Sequence, residues 1–202
     1  TGAAMVKIAM DMLREGVIDE KTVLKRMEPQ KLDELLHPVF DKKAMKEAKV
    51  VAKGLPASPG AATGMIVFFA DDAEEWAEKR KKVILVRIET SPEDLRGMNV
   101  AQGILTARGG MTSHAAVVAR GLGKCCVSGA GEIKVDYKAR TLEMGGHIYK
   151  EGDWISLNGS TGEVYDGQVN TVDADLSGDF AKIMELAEKY TKMDVRTNAD
   201  SL

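Results

Sequence analysis

A histidine that follows a glycine pair and two hydroxyl residues is the strongest chemical feature of this sequence. The segment at residues 108–114 reads Arg-Gly-Gly-Met-Thr-Ser-His, and the residues after it have the pattern of a helix that ends at Gly121. A neutral imidazole has a lone pair that can attack phosphorus. The start of a helix offers free backbone N–H groups and the positive end of its dipole, which suits an anion. The pattern therefore predicts a phosphate cradle with His114 as its nucleophile.

The predicted cradle consists of small and hydroxyl residues beside this histidine. Glycines permit unusual backbone angles and close approach by a ligand, and Thr112 or Ser113 can cap the helix. The candidate cradle residues are Gly109, Gly110, Thr112, Ser113 and Arg108. Arg120 is a second candidate charge partner, although six residues along a helix turn its side chain almost to the opposite face. On spacing alone, an ordinary helix cap beside an ordinary turn stays an alternative.

The charge distribution favours an anionic guest. The chain has 202 residues and a formal net charge of −3. This argues against nucleic-acid binding, because such proteins carry a clear basic excess or stripe. Residues 95–131, however, contain no Asp or Glu and hold four cations: Arg96, Arg108, Arg120 and Lys124. The field around His114 is therefore expected to be positive, with Arg96 and Lys124 contributing to that field alone.

Other chemical sites find little support in the sequence. Gly123-Lys124 is not a P-loop, because Val118 stands where the first glycine belongs and Cys125 where Ser or Thr belongs. The three histidines are dispersed and form no metal motif, so no metal is expected in this chain. Cys125 and Cys126 are adjacent, which suits neither a disulfide framework nor a CxxC pair. We expect them to pack at the start of a strand.

Hydrophobic spacing predicts helices at both ends of the chain and an α/β layer between them. Helices are predicted at residues 2–16, 19–27, 28–36 and 177–192. A loop at 50–64 is expected to lead to a strand at 65–69, a helix at 71–82 and buried strands at 83–89 and 103–106. Short strands are predicted at 141–144, 154–157 and 163–165. The alternation of strands and helices favours an α/β fold.

The overall composition is that of a globular protein, with 44% hydrophobic and 29% charged residues. No apolar run reaches the roughly 18 residues that a membrane-spanning helix needs. The first residues also lack the basic-then-apolar pattern of a signal peptide. We therefore expect a cytoplasmic protein without membrane contact.

Several stretches of the chain resemble the pyruvate, phosphate dikinase family of phosphoenolpyruvate-using enzymes. Residues 109–129, GGMTSHAAVVARGLGKCCVSG, are similar to the phosphohistidine motif of that family. GLPASPGAATG from Gly54, ETSPEDLRGM from Glu89 and GDWISLNGSTGEVY from Gly152 resemble further parts of the same enzymes. Near the ends, KIAMDMLREG and LDELLHPVFD resemble the family's helical linker, and VRTNAD resembles the first strand of its pyruvate-binding barrel. The likeness covers nearly the whole chain.

This resemblance implies a layered β/β/α swivelling phosphohistidine domain at residues 50–173, within the α/β fold class. Residues 1–49 would be a helical linker that follows an ATP-grasp domain, and residues 174–202 would lead to a phosphoenolpyruvate/pyruvate barrel domain. Those two domains are the expected partners and lie outside this sequence. The chain should therefore carry a phosphoryl group without completing the reaction alone. The resemblance also implies a homodimeric enzyme, in the cytoplasm, a plastid or a glycosome.

The resemblance further implies a reaction. In the family, the histidine that matches His114 takes a pyrophosphoryl group from ATP and releases AMP, and orthophosphate then takes the terminal phosphoryl as pyrophosphate. The phosphoryl that remains converts pyruvate to phosphoenolpyruvate, reversibly. The Mg²⁺ of the reaction would be bound by the domains outside this chain. Thr112 matches a threonine that plant members phosphorylate for regulation, and a second phosphate so near His114 would repel the incoming anion.

Alternatives within and beyond this family stay open. Pyruvate, water dikinase and enzyme I of the sugar phosphotransferase system share a Gly-Gly-x-Thr-x-His core. They usually have arginine where Met111 stands, and they lack the Cys-Cys-Val-Ser-Gly run at residues 125–129. Ala130 departs from the cysteine expected in many dikinases, which argues against a thiol role at that position. Outside the family, the domain could bind phosphate noncovalently or dock partners through its helical ends.

Overall fold

The computed structural model describes residues 2–193, which divide into two compact units. Residues 2–36 and 175–193 belong to the first unit, and residues 37–174 form the second. Residues 37–49, assigned to the N-terminal linker by sequence, thus lie in the second unit. The expected barrel strand in VRTNAD, residues 195–200, lies outside the described residues. No helix among the described residues is long and apolar enough to cross a membrane.

The described residues form seven α-helices and thirteen β-strands. The helices are α1 (Gly2–Arg14), α2 (Glu20–Arg26), α3 (Pro29–Asp33), α4 (Ala70–Glu78), α5 (Leu95–Val100), α6 (His114–Gly121) and α7 (Gly178–Tyr190). The strands are β1 (Val39–Phe40), β2 (Val50–Lys53), β3 (Leu55–Ser58), β4 (Ala61–Val67), β5 (Val83–Arg87), β6 (Gly103–Thr106), β7 (Cys125–Ser128), β8 (Lys134–Asp136), β9 (Thr141–Met144), β10 (His147–Lys150), β11 (Trp154–Asn158), β12 (Glu163–Asp166) and β13 (Thr171–Val172).

The first unit is a small helical cluster. Its buried residues recur at helical spacing along α1, where Val6, Ala9 and Met10 face Val23 of α2 and Ile183 of α7. The start of α2 is capped as predicted, because Asp19 Oδ1 accepts a hydrogen bond from Thr22 N at 2.8 Å. The predicted helices at both ends of the chain are therefore confirmed.

The second unit is built on an eight-stranded mixed sheet of order β2-β12-β11-β4-β5-β6-β7-β3. Strands β4 to β7 are parallel neighbours, joined in turn by α4, α5 and α6. The register aligns Leu85 with Ile104, and Ile104 with Cys126. The predicted strand at 103–106 is confirmed at its full length.

Alternate residues of these strands face two different layers. Val83 and Leu85 lie in a buried cluster with the residues of α4, α5 and α6. Ile84 and Val86 lie in a second cluster with residues of β9 and β10, such as Leu142. Strands β8, β9 and β10 form their own three-stranded sheet. Helices thus cover one face of the main sheet and a small sheet covers the other, so the predicted α/β, layered β/β/α fold is confirmed.

The prediction of a loop at residues 50–64 is wrong. Those residues form β2, β3 and the start of β4, and the predicted strand at 65–69 begins earlier, at Ala61, and ends at Val67. Strands β2 and β3 pair with β12 and β7, which are distant in the sequence, so no local hairpin signal marks them. Pro56 is tolerated because β3 lies at the edge of the sheet.

Candidate functional site

The loops that follow β5, β6 and β7 meet at one edge of the main sheet. Parallel strands end there together, and ligands of open α/β sheets bind at such carboxyl edges. Arg108 N donates to Ile88 O at 2.9 Å and Ala107 N donates to Arg87 O at 3.1 Å, which ties the first two loops together. The predicted site residues occupy the loop after β6 and the first turn of α6.

Close backbone approach explains the glycines of this edge. Gly109 has a φ of +110°, and a Cβ there would lie 2.9 Å from Ser113 Cβ. Gly129, after β7, has a φ of +63°, and its Cβ would lie 2.4 Å from Gly109 O. These two positions therefore require glycine. At Gly110 a Cβ would meet nothing within 4 Å, so that residue faces open space.

A buried hydroxyl chain holds the loop after β6. Thr106 Oγ1 donates to Arg108 O at 2.8 Å and lies 3.2 Å from Ser128 Oγ. Ser128 Oγ lies 3.3 Å from Ser113 Oγ. Ser113 is the N-cap of α6, since its Oγ accepts a hydrogen bond from Ala116 N at 3.4 Å. Of the two hydroxyl residues predicted as caps, Ser113 is the one that caps the helix, and Thr112 is exposed.

His114 is the first residue of α6 and is half-buried. Its ring nitrogen Nδ1 lies 3.0 Å from Thr90 Oγ1. Within the described residues Nε2 has no hydrogen-bond partner. The ring is thus held through one nitrogen while the other is left for a ligand.

Thr90 is a site residue that the sequence analysis missed. It lies in the loop after β5, where a capping turn fixes the chain: Ser91 N donates to Asp94 Oδ2 at 2.8 Å. Asp94 is buried, and its Oδ1 lies 3.4 Å from Arg87 Nε, a charge contact. The capping pattern at Ser91 was visible in the sequence, but the contact between Thr90 and His114 joins residues 24 positions apart.

Two side chains support the same loop: Arg87, at the end of β5, and Tyr137, directly after β8. Arg87 Nη1 donates to Phe68 O at 3.1 Å, and its guanidinium carbon lies 4.9 Å from the centre of the Tyr137 ring. Tyr137 Oη in turn accepts a hydrogen bond from Ile88 N at 2.7 Å. The loop that presents Thr90 is therefore held at two points: the backbone of Ile88 bonds to Tyr137, and the buried carboxylate of Asp94 lies against Arg87.

The four cations of the acid-free segment lie in different places. Arg108 is exposed beside the glycine loop, and Arg96 is exposed on α5. Arg120 Nε donates to Ala116 O at 3.0 Å, and its Nη2 donates to Met111 O. The long side chain of Arg120 thus returns along α6 to the loop before His114. Lys124 instead precedes β7, at the amino edge of the sheet.

The described residues hold no metal cluster, and both cysteines are buried. No group of three or more His, Cys, Asp or Glu side chains suited to a metal occurs among residues 2–193. Cys125 and Cys126 are buried at the start of β7, as expected. Burial raises the pKa of the Cys126 thiol to about 12 and also raises that of Cys125, so both thiols are protonated and pack as apolar groups.

Comparison with known proteins finds a family match over the same part of the chain that carries the candidate site. The family described as PEP-utilising enzyme, mobile domain, matches residues 79–162, which include β5 to β7 and the loop with His114. The chain is 55% identical over 201 residues to pyruvate, phosphate dikinase of Clostridium symbiosum and to the chloroplastic pyruvate, phosphate dikinase of Flaveria pringlei. Each alignment covers 100% of this chain but only 23% and 21% of those relatives.

The fold and the match together define the chain as a phosphohistidine domain of the phosphoenolpyruvate-utilising class, the mobile domain of those enzymes. Within that class it is homologous, over its whole length, to one segment of the pyruvate, phosphate dikinases. The chain spans less than a quarter of the length of those curated relatives. A solved structure of Enzyme I aligns at 25% identity over 54% of this chain and 37% of its own, with a TM-score of 0.31, which is too low to bear on the fold.

Proposed function

We propose that this chain is the phosphoryl carrier of a pyruvate, phosphate dikinase and that His114 carries the group on Nε2. The contact of 3.0 Å between His114 Nδ1 and Thr90 Oγ1 is the observation that supports this most directly. When Nδ1–H donates to Thr90, Nε2 keeps its lone pair and is a nucleophile. Because His114 begins α6, the oxygens of a bound phosphoryl group would meet free N–H groups of the first turn.

The transfer step is a displacement at phosphorus. His114 Nε2 attacks, an N–P bond forms, and the bond from phosphorus to the donor's bridging oxygen breaks, so that this oxygen leaves with the electron pair. The ring becomes positively charged, and Thr90 Oγ1 stabilises it by accepting the hydrogen bond from Nδ1–H. In delivery an acceptor oxygen attacks the same phosphorus, the N–P bond breaks, and the electron pair returns to Nε2.

The cradle residues act on the phosphoryl oxygens. Gly109 keeps the loop close to Ser113, and Gly110 leaves open space for the guest. Ser113 fixes the start of α6, so its N–H groups are oriented before the guest arrives. Arg108 is exposed at this edge and can neutralise charge on the equatorial oxygens. Positioning and electrostatics together supply most of the catalysis that a phosphoryl transfer needs.

The complete reaction requires further domains, which we also propose. An ATP-grasp domain would pyrophosphorylate His114 from ATP, orthophosphate would take one phosphoryl, and a barrel domain would pass the other to pyruvate. Met111 and Val117 support docking of a partner domain, because these apolar side chains are 42% and 56% exposed and lie three residues either side of His114. The division into residues 1–49, 50–173 and 174–202 belongs to the same proposal, with residues 37–49 as the part of the linker that lies in the second compact unit.

The enzyme we propose would use Mg²⁺ and act as a homodimer in the cytoplasm or a plastid. Chloroplastic relatives support the plastid, and the Clostridium symbiosum relative supports the cytoplasm. The described residues of this chain do not fit Mg²⁺, because they hold no cluster of suitable ligands.

Regulation at Thr112 is part of the proposal. Its side chain is exposed, as a modifying enzyme needs, and it stands two residues before His114. A phosphate on Thr112 would add about two negative charges beside the cradle and repel the incoming phosphoryl group. A chain with Thr112→Glu should therefore accept phosphoryl more slowly than one with Thr112→Ser.

A chimera tests the carrier role. The matching segment of the Clostridium symbiosum enzyme is replaced by this chain, and the product is labelled with radioactive phosphoenolpyruvate. We expect acid-labile, alkali-stable label that His114→Asn abolishes and that the matched change at an exposed histidine, His147→Asn, leaves intact. Unchanged label in His114→Asn would refute the assignment. Reversible phosphate binding without covalent label would instead favour the noncovalent module, and repeated turnover by the 202-residue chain alone would contradict a carrier.

A further inference from the structure

A second polar pocket lies at the opposite edge of the same strands. It has a volume of ≈340 Å³, within the usual range of small-molecule sites. Three residues of its lining stand immediately before three successive parallel strands: Lys82 before β5, Gln102 before β6 and Lys124 before β7. The parallel register of these strands brings the three side chains to one edge. The end of α6, with Leu122 and Gly123, completes that side of the lining.

The two lysines give this pocket a positive character. In the part of the chain that the structure describes, neither Lys82 nor Lys124 forms an ion pair, whereas several other lysines do. Burial lowers the pKa of Lys124, which means that its ammonium has lost part of its water shell without gaining a carboxylate. An anion would restore the lost interactions. Asp173 also lines the pocket; like Lys82 it is exposed to solvent, which screens both charges, whereas Lys124 is half-buried.

We propose that this pocket binds a small dianion, with Lys82 and Lys124 as charge partners and Gln102 as a hydrogen-bond donor. A phosphate ester or a dicarboxylate has the required charge, and the volume admits a metabolite of either kind.

The pocket is separate from the phosphoryl cradle. Helix α6 has eight residues and is therefore about 12 Å long, with His114 at its start and the pocket at its end. A dianion in the pocket is thus too far away to be the group that His114 would transfer. The proposal consequently does not depend on the carrier role.

Titration of the 202-residue chain with inorganic phosphate, at constant ionic strength in chloride, tests the pocket. We expect saturable shifts of the Gly123 and Lys124 amide signals in a heteronuclear NMR spectrum. The paired change Lys82→Met and Lys124→Met should weaken binding at least about tenfold, because two charged partners are lost. Lys138→Met removes the same charge from an exposed turn outside the pocket and should leave the affinity unchanged.

Two further variants and a second anion complete the test. His114→Asn should bind phosphate at the pocket as the parent chain does, and Asp173→Asn should bind it about twofold to threefold more tightly, since a screened repulsion is removed. A parallel titration with succinate distinguishes the sources: preference for phosphate indicates a phosphate ester, and preference for succinate indicates a dicarboxylate. The proposal is overturned if the amide shifts do not saturate with either anion or if the paired lysine change leaves the affinity unaltered. Shifts confined to residues 109–114 would also overturn it.

Discussion

The carboxyl and amino edges of β5, β6 and β7 carry different chemistry, although the same three strands end at both. At the carboxyl edge the groups near His114 are glycine backbone, the hydroxyls of Thr90 and Ser113 and the first turn of α6, with Arg108 exposed beside them. At the amino edge two lysine ammoniums, Lys82 and Lys124, line a pocket. The contrast separates the edge where we propose that an anion is transferred from the edge where we propose that one is bound.

The physical reason is that binding and transfer make different demands. An interaction that is equally strong before and during a reaction holds an anion but does not raise the rate of the chemical step. Oriented N–H and O–H dipoles, in contrast, can be aimed at the charge that develops during transfer. The fold supplies them at the carboxyl edge through the start of α6 and the hydroxyl chain from Thr106 to Ser113.

The largest effect is expected from a pair of glycine substitutions, one at each edge. Gly129 and Gly123 both have positive φ, but only at Gly129 would a Cβ lie 2.4 Å from a backbone oxygen, while at Gly123 it would meet nothing within 4 Å. Gly123→Ala should therefore cost about 1 kcal/mol for its backbone conformation. Gly129→Ala should cost about 3 kcal/mol or more and also displace the loop of Gly109. Urea unfolding of both variants measures the difference in their free energy of unfolding. Equal losses of stability would show that the close approach of Gly129 to Gly109 O is unimportant.

Substitution of Thr90 should give the next largest effect, and this effect should be on the rate of phosphoryl transfer and not on the stability of the fold. Thr90→Val removes the hydrogen bond to His114 Nδ1, and a bond to a charged ring is worth about 1.5–3 kcal/mol. The rate of label transfer to His114 in the chimera should fall roughly 10- to 100-fold. Thr90→Ser keeps the hydroxyl and should restore most of the rate. Equal rates in the Val and Ser variants would exclude this positioning role.

A smaller effect is expected from the cap of α6. Ser113→Ala should lower the free energy of unfolding by about 1 kcal/mol, because Ala116 N loses its acceptor. Ser177 is a matched control: it is the N-cap of α7, but its side chain makes no bond to that helix. Ser177→Ala should change stability by less than half as much in the same denaturant series. The reverse order would contradict the capping role of Ser113.

The smallest response is expected from the thiols at the start of β7. In the unfolded chain a thiol ionises near pH 8.5, whereas Cys126 in the folded chain does so only near 12. Below about pH 8.5 both states hold the proton; above it the unfolded state loses its proton first, so stability falls as the pH rises from about 8.5 to 12. At pH 8 iodoacetamide should leave both thiols of the native chain unmodified and modify both in denaturant. Rapid native modification would contradict their burial.

Much of the layered fold follows from local patterns. The buried run of β5, the glycine-bounded strand β6 and the cap at Ser113 are each determined by neighbouring residues, so the predictions for these elements agree with the structure. Strands β2 and β3 escaped prediction because their partners β12 and β7 lie far along the chain. Pairing at that distance leaves no signal in the hydrophobic spacing of one short segment.

The candidate site shows the same division between local and distant contacts. His114 and its glycines could be predicted, because a turn, a cap and a helix start adjoin in sequence. Thr90 and the amino-edge pocket could not, since each depends on residues that only the parallel register of the sheet brings together. Helical spacing also suggested that the side chain of Arg120 would point away from His114. That side chain is nevertheless long enough to reach Met111 O, in the loop before His114.

The most direct test of the phosphoryl site asks which nitrogen of which histidine receives the group. The chimera is prepared with ¹⁵N-labelled histidine, phosphorylated from phosphoenolpyruvate, and examined by ³¹P and ¹⁵N NMR. Phosphorus bonded to Nε2 of His114, with the proton on Nδ1, is the result that the contact with Thr90 predicts. Phosphorus on Nδ1, or on His37 or His147 with His114 unmodified, would contradict it.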